Sequence, residues 1–389
     1  MNRKIIHLDL DAFFCAVEEQ RSPLLIGKPF AVGGKPQERG VVSSCSYAAR
    51  AFGIRSAMPM ARALRLCPNL IVVTPHYKEY SQASQKVMAK LRIVTDLVEQ
   101  ISIDEAFLDV SGLPMAGETI AHELQEAIIN DLGLPCSLGV ASNKLVAKIA
   151  TDVGKTTLGR SGPPNAITVV PPGSEAAFLA PLPTSSLWGI GPKTAERLSK
   201  LGIITIGDLA STPETKIKQI FGRLTLEMLV RASGIDNRPI ITHHDAKSLS
   251  QETTFSRDIS EEAKLKNTLR ELSAYAGRKL RESNLRAQTI KLKIRWSDFT
   301  TITRQTTISQ PTDQEQMIYE VSLSLLDKCW DYRRPVRLIG LGVSGLSSQI
   351  IQLSLWEVNS KARSLQQALD DLRGKYGVKI VHRGSALDE

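Results

Sequence analysis

Asp9, Asp104 and Glu105 are the residues whose types and placing most clearly imply chemistry. They lie in two segments far apart in the chain, I-I-H-L-D-L-D-A-F-F at Ile5 to Phe14 and I-S-I-D-E-A-F-L-D-V at Ile101 to Val110. Each segment sets carboxylates among β-branched and aromatic residues, the composition of a buried or half-buried strand, where an unpaired charge is costly. Packed together, the three carboxylates would take up protons unless divalent cations lay between them, and hard oxygen ligands suit Mg2+. Two such ions about 3.5–4 Å apart can drive in-line attack of an oxygen on a phosphate, one activating the attacker and the other holding the leaving group. The expected chemistry is phosphoryl or nucleotidyl transfer. One geometric condition attaches. Neighbours on a regular strand point to opposite faces, so Asp104 and Glu105 reach one site only if a turn or bulge re-aims one of them. The plain alternative for either segment alone is an exposed turn with salt-bridge partners.

The elements that must position these residues follow from the pattern around them. Ala12 to Arg21 reads as a helix, and Lys28 to Gly33 as a strand entering the turn-rich G-G-K-P-Q-E-R-G. The run V-V-S-S-C-S-Y-A-A-R-A-F-G begins as a strand and becomes a helix that Gly53 ends, with Ser44 or Ser46 able to cap it. Tyr47 and Arg50 share a face of its first turn, where free N–H groups favour an anion such as a triphosphate; a stacked surface pair is the simpler reading. A helix from Tyr77 to Asp96 leads into the second acidic strand, and a helix from Glu118 to Leu132 precedes a strand from Cys136 to Ala141. S-N-K-L-V-A-K-I-A-T-D-V-G-K then brings Lys144, Lys148 and Lys155 near where substrate phosphates could lie. This mixed order implies an α/β or α+β domain, bounded by the Pro/Gly-rich stretches at Ser161 to Pro164 and Pro171 to Gly173.

Leu187 to Leu209 reads as helical with the interruption W-G-I-G-P-K-T-A-E-R-L. Gly189 and Gly191 allow a backbone to approach a phosphate, and the following helix start, with Lys193, offers donors that read no base sequence; an ordinary αα-hairpin would need glycine too. A polar linker, Asp236 to Lys247, precedes strands at Ser250 to Phe255, Thr289 to Trp296, Thr301 to Ile308 and Val336 to Val343, with two helices between them. Leu365, Leu369, Leu372 and Tyr376 suit one amphipathic tail helix.

The composition narrows the function classes. The chain's 389 residues allow two to four domains, and 49 Lys+Arg against 40 Asp+Glu leave a net charge of +9, compatible with a polyanionic partner. Between Arg278 and Arg304, eight basic residues, Lys291, Lys293 and Arg295 among them, face only Glu282 and Asp298. A local stripe of that kind meets phosphate backbones, though a solvated helix face and edge strand would look similar. The five cysteines, at Cys15, Cys45, Cys67, Cys136 and Cys329, are odd in number and widely spaced, so free thiols in a reducing compartment are expected, without disulfide or zinc. No apolar run approaches a membrane span and Asp9 and Asp11 interrupt the apolar start, so the protein is expected to be cytoplasmic.

Five motifs in order, D-L-D-A-F-F, S-Y-A-A-R-x-F-G-I-R-S-A-M-P, S-I-D-E-A-F-L-D-V, L-G-V-A-S-N-K-L-V-A-K-I-A-T-D-V-G-K and G-I-G-P-K-T-A-x-x-L, make the chain resemble a Y-family DNA polymerase of the DinB branch over about Lys4 to Leu355. The resemblance implies an α+β multidomain right-hand fold. Its parts would be a catalytic palm at 1–11 and 76–170, small fingers at 12–75, a helix-hairpin-helix thumb at 171–235, a linker at 236–247, a little finger at 248–346 and a tail at 347–389. It further implies template-directed, low-fidelity translesion synthesis on primer–template DNA with dNTPs, by a monomer using two Mg2+ ions, with Mn2+ as a substitute. By motif position, Asp9, Asp104, Glu105 and the Leu10 carbonyl would be metal ligands. Phe13, Phe14, Ser44, Tyr47, Arg50 and Lys155 would meet the nucleotide, Phe14 as the steric gate against a ribose 2′-OH. Gly189, Gly191, Lys193, Lys291, Lys293, Arg295 and Arg337 would meet DNA. Gln352, Leu353, Leu355 and Trp356, in Q-L-S-L-W, resemble a bacterial sliding-clamp-binding peptide, with an apolar terminal strand as the alternative. Where the family has a short K-P-N-G, Lys155 is followed by the longer K-T-T-L-G-R-S-G-P-P-N-A. Competing classes are a non-catalytic DNA-binding accessory protein of polymerase shape, opposed by the intact carboxylates, and a two-metal nuclease, which needs neither Phe14 nor the Tyr47/Arg50 pair.

Overall fold

A computed structural model of the chain describes residues 3–158, 162–348 and 360–377, and two compact units divide it, Met1–His244 and Asp245–Glu389. The first unit is organised by strand β1 (Ile5–Leu10), whose alternation sends Ile6, Leu8 and Leu10 into one core and Ile5 into another, with His7 buried on the same side as Ile5. After it come α1 (Phe13–Arg21), β2 (Phe30–Gly33), β3 (Val42–Cys45), α2 (Tyr47–Ala51), α3 (Met60–Leu66) and β4 (Ile71–Val73). These three strands form a small sheet in the order β3-β2-β4 around Ala31, Val42, Ile54 and Met60. The chain continues through α4 (Tyr77–Val94), β5 (Val98–Gln100), β6 (Glu105–Asp109), α5 (Gly117–Leu132), β7 (Cys136–Ala141), α6 (Lys144–Leu158) and β8 (Ile167–Val169).

The larger sheet runs β5-β6-β1-β7-β8, so the first strand of the sequence becomes the middle of the sheet, antiparallel to β6 and to β7. Apolar residues of α1, α4 and α5 share the core of Ile6 and Leu8; Leu145, Val146 and Ile149 of α6 cover the opposite face with Ile5 and Phe107. Gly139 of β7 permits that cover, since a Cβ there would lie 2.0 Å from the Ala147 carbonyl oxygen and 2.7 Å from the Thr151 nitrogen. Only a bare backbone lets α6 come this close. Lys144, at the first turn of α6, is buried against Glu99, 2.6 Å away, and the same carboxylate accepts the Ile241 N–H at 2.8 Å.

Four short helices, α8 (Pro192–Ser199), α9 (Ile206–Ser211), α10 (Glu214–Phe221) and α11 (Thr225–Ala232), follow α7 (Glu175–Leu179) and pack around Leu187, Leu198, Leu209 and Met228. The expectation of helix from Leu187 onward is corrected. Leu187 to Gly191 is a turn, Gly189 takes a φ of 106°, and helix begins only at Pro192, whose fixed φ and missing N–H suit a first helical position.

In the second unit β9 (Ser248–Ile259), α12 (Glu262–Glu282), β10 (Arg286–Trp296), β11 (Thr301–Thr312), α13 (Glu315–Cys329) and β12 (Val336–Ser347) give an antiparallel sheet in the order β11-β10-β12-β9. Leu265, Leu269, Ile318 and Leu326 of the two helices share a core with Ile290, Ile294 and Ile339 of the strands. The tail helix α14 (Ser360–Tyr376) is fastened by a polar edge, Asp370 accepting from Arg281 at 2.5 and 3.1 Å, while Leu365, Leu372 and Tyr376 stay exposed. Gln352, Leu353, Leu355 and Trp356 lie outside the described residues. Among the described residues the five cysteines are free thiols, and no helix is long and apolar enough to cross a membrane.

Candidate active site

Asp9, next to last in β1, lies on the face covered by α6, and the register sets it directly opposite Glu105. The second acidic segment is strand only from Glu105; before it the chain bends through Ser102 to Asp104. Ser102 pins that bend. Its hydroxyl donates to Asp104 Oδ1 at 2.5 Å and accepts the N–H groups of Asp104 and Glu105 at 3.2 and 3.0 Å, while the Asp104 carbonyl accepts the Leu10 N–H at 3.0 Å. The chain thus turns between the two neighbouring carboxylates, Asp104 leaving the pleat just where Glu105 enters it. Burial pushes the Asp9 carboxyl up to about 7, with the Lys155 ammonium opposing the rise and the charges of Glu105 and Asp104 adding to it.

Two lysines of α6 sit two turns apart and meet these groups. Lys155 Nζ lies 2.6 Å from Asp9 Oδ1 and 3.0 Å from Asp11 Oδ1, and Lys148 Nζ lies 2.9 Å from Glu105 Oε1. Burial disfavours both ammonium groups, but the facing carboxylates outweigh it, so both titrate above the ordinary lysine value. Asp11, fully buried, accepts the Ser137 hydroxyl at 2.9 Å and the Asn165 N–H at 3.1 Å besides Lys155. The long segment after Lys155 therefore returns to the site through Asn165, and Thr156 and Thr157 extend the helix beyond Lys155. Among the described residues no three His, Cys, Asp or Glu side chains stand close enough to hold one ion as they are placed. The donor set nonetheless fits a hard divalent cation, being all oxygen with crowded negative charge at Asp9.

The nucleotide-contact candidates flank this cluster. Ser46, not Ser44, caps α2, its hydroxyl accepting the Ala49 N–H, and the Arg50 guanidinium lies 4.5 Å from the centre of the Tyr47 ring. Burial and then the Asp11 charge push the Tyr47 hydroxyl up to about 12, which puts Tyr47 within electrostatic reach of the acidic cluster. Ser44 lies on β3 and its hydroxyl accepts from the Cys15 thiol at 3.5 Å. Phe14 is half-buried and stacks on Tyr80 with centroids 4.2 Å apart and planes 12° from parallel. The ring of Phe13 is buried, so any nucleotide contact from it is by backbone; α1 starts from Ala12 in the left-handed region, φ 47°, with no side-chain cap on its first N–H groups. Lys144 does not join the phosphate candidates, because Glu99 holds it in the core.

Comparison with known proteins adds an independent line. The model of the impB/mucB/samB family matches residues 8–152, that of its C-terminal domain matches 246–355, and that of the IMS family HHH motif matches 172–203. A DNA polymerase IV of Dehalococcoides mccartyi is 40% identical over 386 residues, covering 98% of this chain and 97% of the relative. DNA polymerase IV 1 of Bacillus subtilis is 37% identical over 396 residues, covering 99% and 94%. The chain belongs to the Y-family DNA polymerases, in the DinB branch. A solved Y-family DNA polymerase chimera of Dbh and Dpo4 matches with a TM-score of 0.78 at 26% identity, covering 89% of this chain and 100% of that one. An insertion ternary complex of Dbh DNA polymerase matches with a TM-score of 0.63 at 26% identity, over 88% and 98%.

The nucleic-acid candidates of this Y-family polymerase are distributed over both units. In the first, Gly189 and Gly191 lead into α8 and Lys193 is exposed on its first turn. In the second, Lys291 is exposed on β10, whereas Lys293 is paired with Glu252 at 2.8 Å and Arg295 bonds the Thr301 hydroxyl at 2.8 Å. Arg337 lies over the Phe299 ring at 4.4 Å. Lys291, Lys293, Glu252, Gly340 and Gly342 line a groove of about 300 Å³ on this sheet. Sequence reasoning missed Asp11 as the buried partner of Lys155 and Ser102 as the pin of the acidic turn. The D-x-D spacing and the S-I-D-E run carried both signals.

Proposed function

We propose that the chain extends a primer 3′-OH on a DNA template by metal-assisted nucleotidyl transfer with Mg2+, at low fidelity and past damaged template bases. The observation that supports this reading is Asp9 of β1 set opposite Glu105 of β6, with Lys155 and Lys148 of α6 bound to the two carboxylates and Asp104 near enough for its charge to raise the Asp9 carboxyl. Asp9, Asp104, Glu105 and the Leu10 carbonyl would hold the cations, which when bound activate the attacking hydroxyl and neutralise the departing pyrophosphate. Lys155, Tyr47 and Arg50 orient the triphosphate, helped by Ser44 and by the uncapped start of α1 at Phe13 and Phe14. Asp11 holds Lys155 in line with these groups, and Phe14 stands as the wall against a 2′-OH.

Residues 1–11 and 76–170 serve as palm, 12–75 as fingers, 171–235 as thumb and 248–346 as little finger. The fingers are a three-stranded sheet with short helices, a small enclosure that leaves selection mostly to base pairing. Gly189, Gly191 and Lys193 meet the DNA backbone from the thumb and the basic face of β10 meets it from the little finger. Gln352 to Trp356 binds a sliding clamp, a reading supported by its sequence alone. No comparison favours a non-catalytic accessory protein.

Primer extension with each dNTP and Mg2+ on an undamaged template tests the assignment. Asp104→Asn and Glu105→Gln should each abolish extension yet leave DNA affinity nearly unchanged, because these carboxylates serve cations and not the duplex. Near-normal extension by both variants would remove the catalytic assignment.

A further inference from the structure

The strongest polar cluster that the chemistry leaves unused lies behind Phe14. Glu18, one turn further along α1, is a buried carboxylate whose Oε1 accepts the Tyr80 hydroxyl at 2.5 Å and faces His76 Nδ1 at 2.8 Å; its Oε2 pairs with Arg21 at 2.9 Å. Tyr80 is itself fully buried, and its ring is the one stacked on Phe14. Tyr77 meets the edges of both, with centroids 6.2 Å from Phe14 and 6.0 Å from Tyr80. A carboxylate fastened to α1 and to the start of α4 therefore holds the ring on which Phe14 rests. Burial works against the Glu18 charge, but the Tyr80 and His76 hydrogen bonds outweigh it and the group titrates below its ordinary range.

We propose that Glu18 is a positioning residue for sugar selection, fixing the Phe14 ring through the Tyr80 hydroxyl. The proposal rests on reading Phe14 as the gate. A ribonucleotide differs from its competitor by one hydroxyl, and an apolar wall that yields rejects such an addition only about 10²-fold. Rejection by shape depends on a wall that does not yield. A hydrogen bond that stops Tyr80 from sliding or tilting supplies that stiffness without touching the nucleotide. The simpler role for Glu18, satisfying a buried tyrosine hydroxyl, predicts lost stability and an unchanged preference between sugars.

The test compares kcat/KM for an rNTP with that for the matching dNTP, a ratio from which loss of folded enzyme cancels. Phe14→Ala should raise the rNTP/dNTP ratio at least about tenfold. Tyr80→Phe, which keeps the ring and deletes only the hydroxyl, and Glu18→Gln should each raise it about threefold or more. Adding Tyr80→Phe to Phe14→Ala should raise it no further, since the ring through which the hydroxyl acts is gone. If Phe14→Ala raises the ratio and Tyr80→Phe does not, the positioning role is overturned and the gate stands. An equal rise from Tyr80→Phe with and without Phe14 overturns it too, because the effect would not pass through the gate. No change in Phe14→Ala would withdraw the gate and this proposal together. Should Glu18→Gln fail to fold, the isosteric Tyr80→Phe decides.

Discussion

Asp9 carries the largest electrostatic tension in the site, and its sign gives a measurement. Its carboxyl is raised from an ordinary 3.8 to about 7, so the folded protein holds this proton more tightly than the unfolded chain does. The stability that Asp9 contributes is therefore complete below about pH 4 and is lost as the pH rises to about 7. Asp9→Asn escapes that loss. In EDTA, the Tm of this variant relative to the parent should climb between about pH 4 and 7 and level off above. Mg2+ at about pH 8 should raise the Tm of the parent and leave that of the variant in place, because cation binding to the ionised carboxylate favours the folded state. A Tm difference independent of pH would mean that Asp9 keeps an ordinary carboxyl.

At the scale of elements, α6 is the part that organises the site, and two contacts set its place. Gly139 admits its backbone to the sheet, and Lys144 anchors its first turn through Glu99. Both partners of the Lys144–Glu99 pair are almost fully buried, with side-chain exposures of 4% and 5%, so removing one leaves an uncompensated charge in the core. Glu99→Ala should lower the free energy of unfolding by about 3–5 kcal/mol, read from the urea transition of the full chain. Replacing both by apolar residues, Glu99→Leu with Lys144→Met, should recover most of that loss. If the double variant is as unstable as the single one, the segment at Ile241 that Glu99 also holds matters more than the ion pair.

For the whole molecule, the candidate catalytic residues lie in the first unit and the basic strand β10 in the second. DNA affinity should fall with salt, and each phosphate that a substitution leaves without its cationic side chain should reduce the slope of log affinity against log salt by about 0.9. Lys291 and Lys293 are not equal in this respect, because Glu252 already neutralises Lys293 while Lys291 stands exposed. Lys291→Ala should reduce the slope by about one, and Lys293→Ala by clearly less, in anisotropy titrations from about 50 to 200 mM salt. Equal reductions would show that the Lys293–Glu252 pair opens when DNA binds.

By itself the sequence determined the four strands and two helices of the second unit, the Cys136–Ala141 strand to the residue, and the acidic, Tyr47/Arg50 and lysine motifs, because these rest on local periodicity and on residue types that are costly to bury without a purpose; the three-residue strands β4, β5 and β8 and the short helix α3 of the first unit are too brief to show a period. It also showed that Asp104 and Glu105 need a turn to serve one site. Only the tertiary structure decided which partners those motifs meet. Lys144 and Lys148 lie on the same helix, yet one enters the core against Glu99 and the other meets Glu105, a choice made by sheet order and not by spacing. Asp11, Glu18 and Tyr80 likewise take their partners from 126, 58 and 62 positions away, respectively Ser137, His76 and Glu18. Contacts at such separations depend on how the strands and helices pack, and no local pattern encodes them.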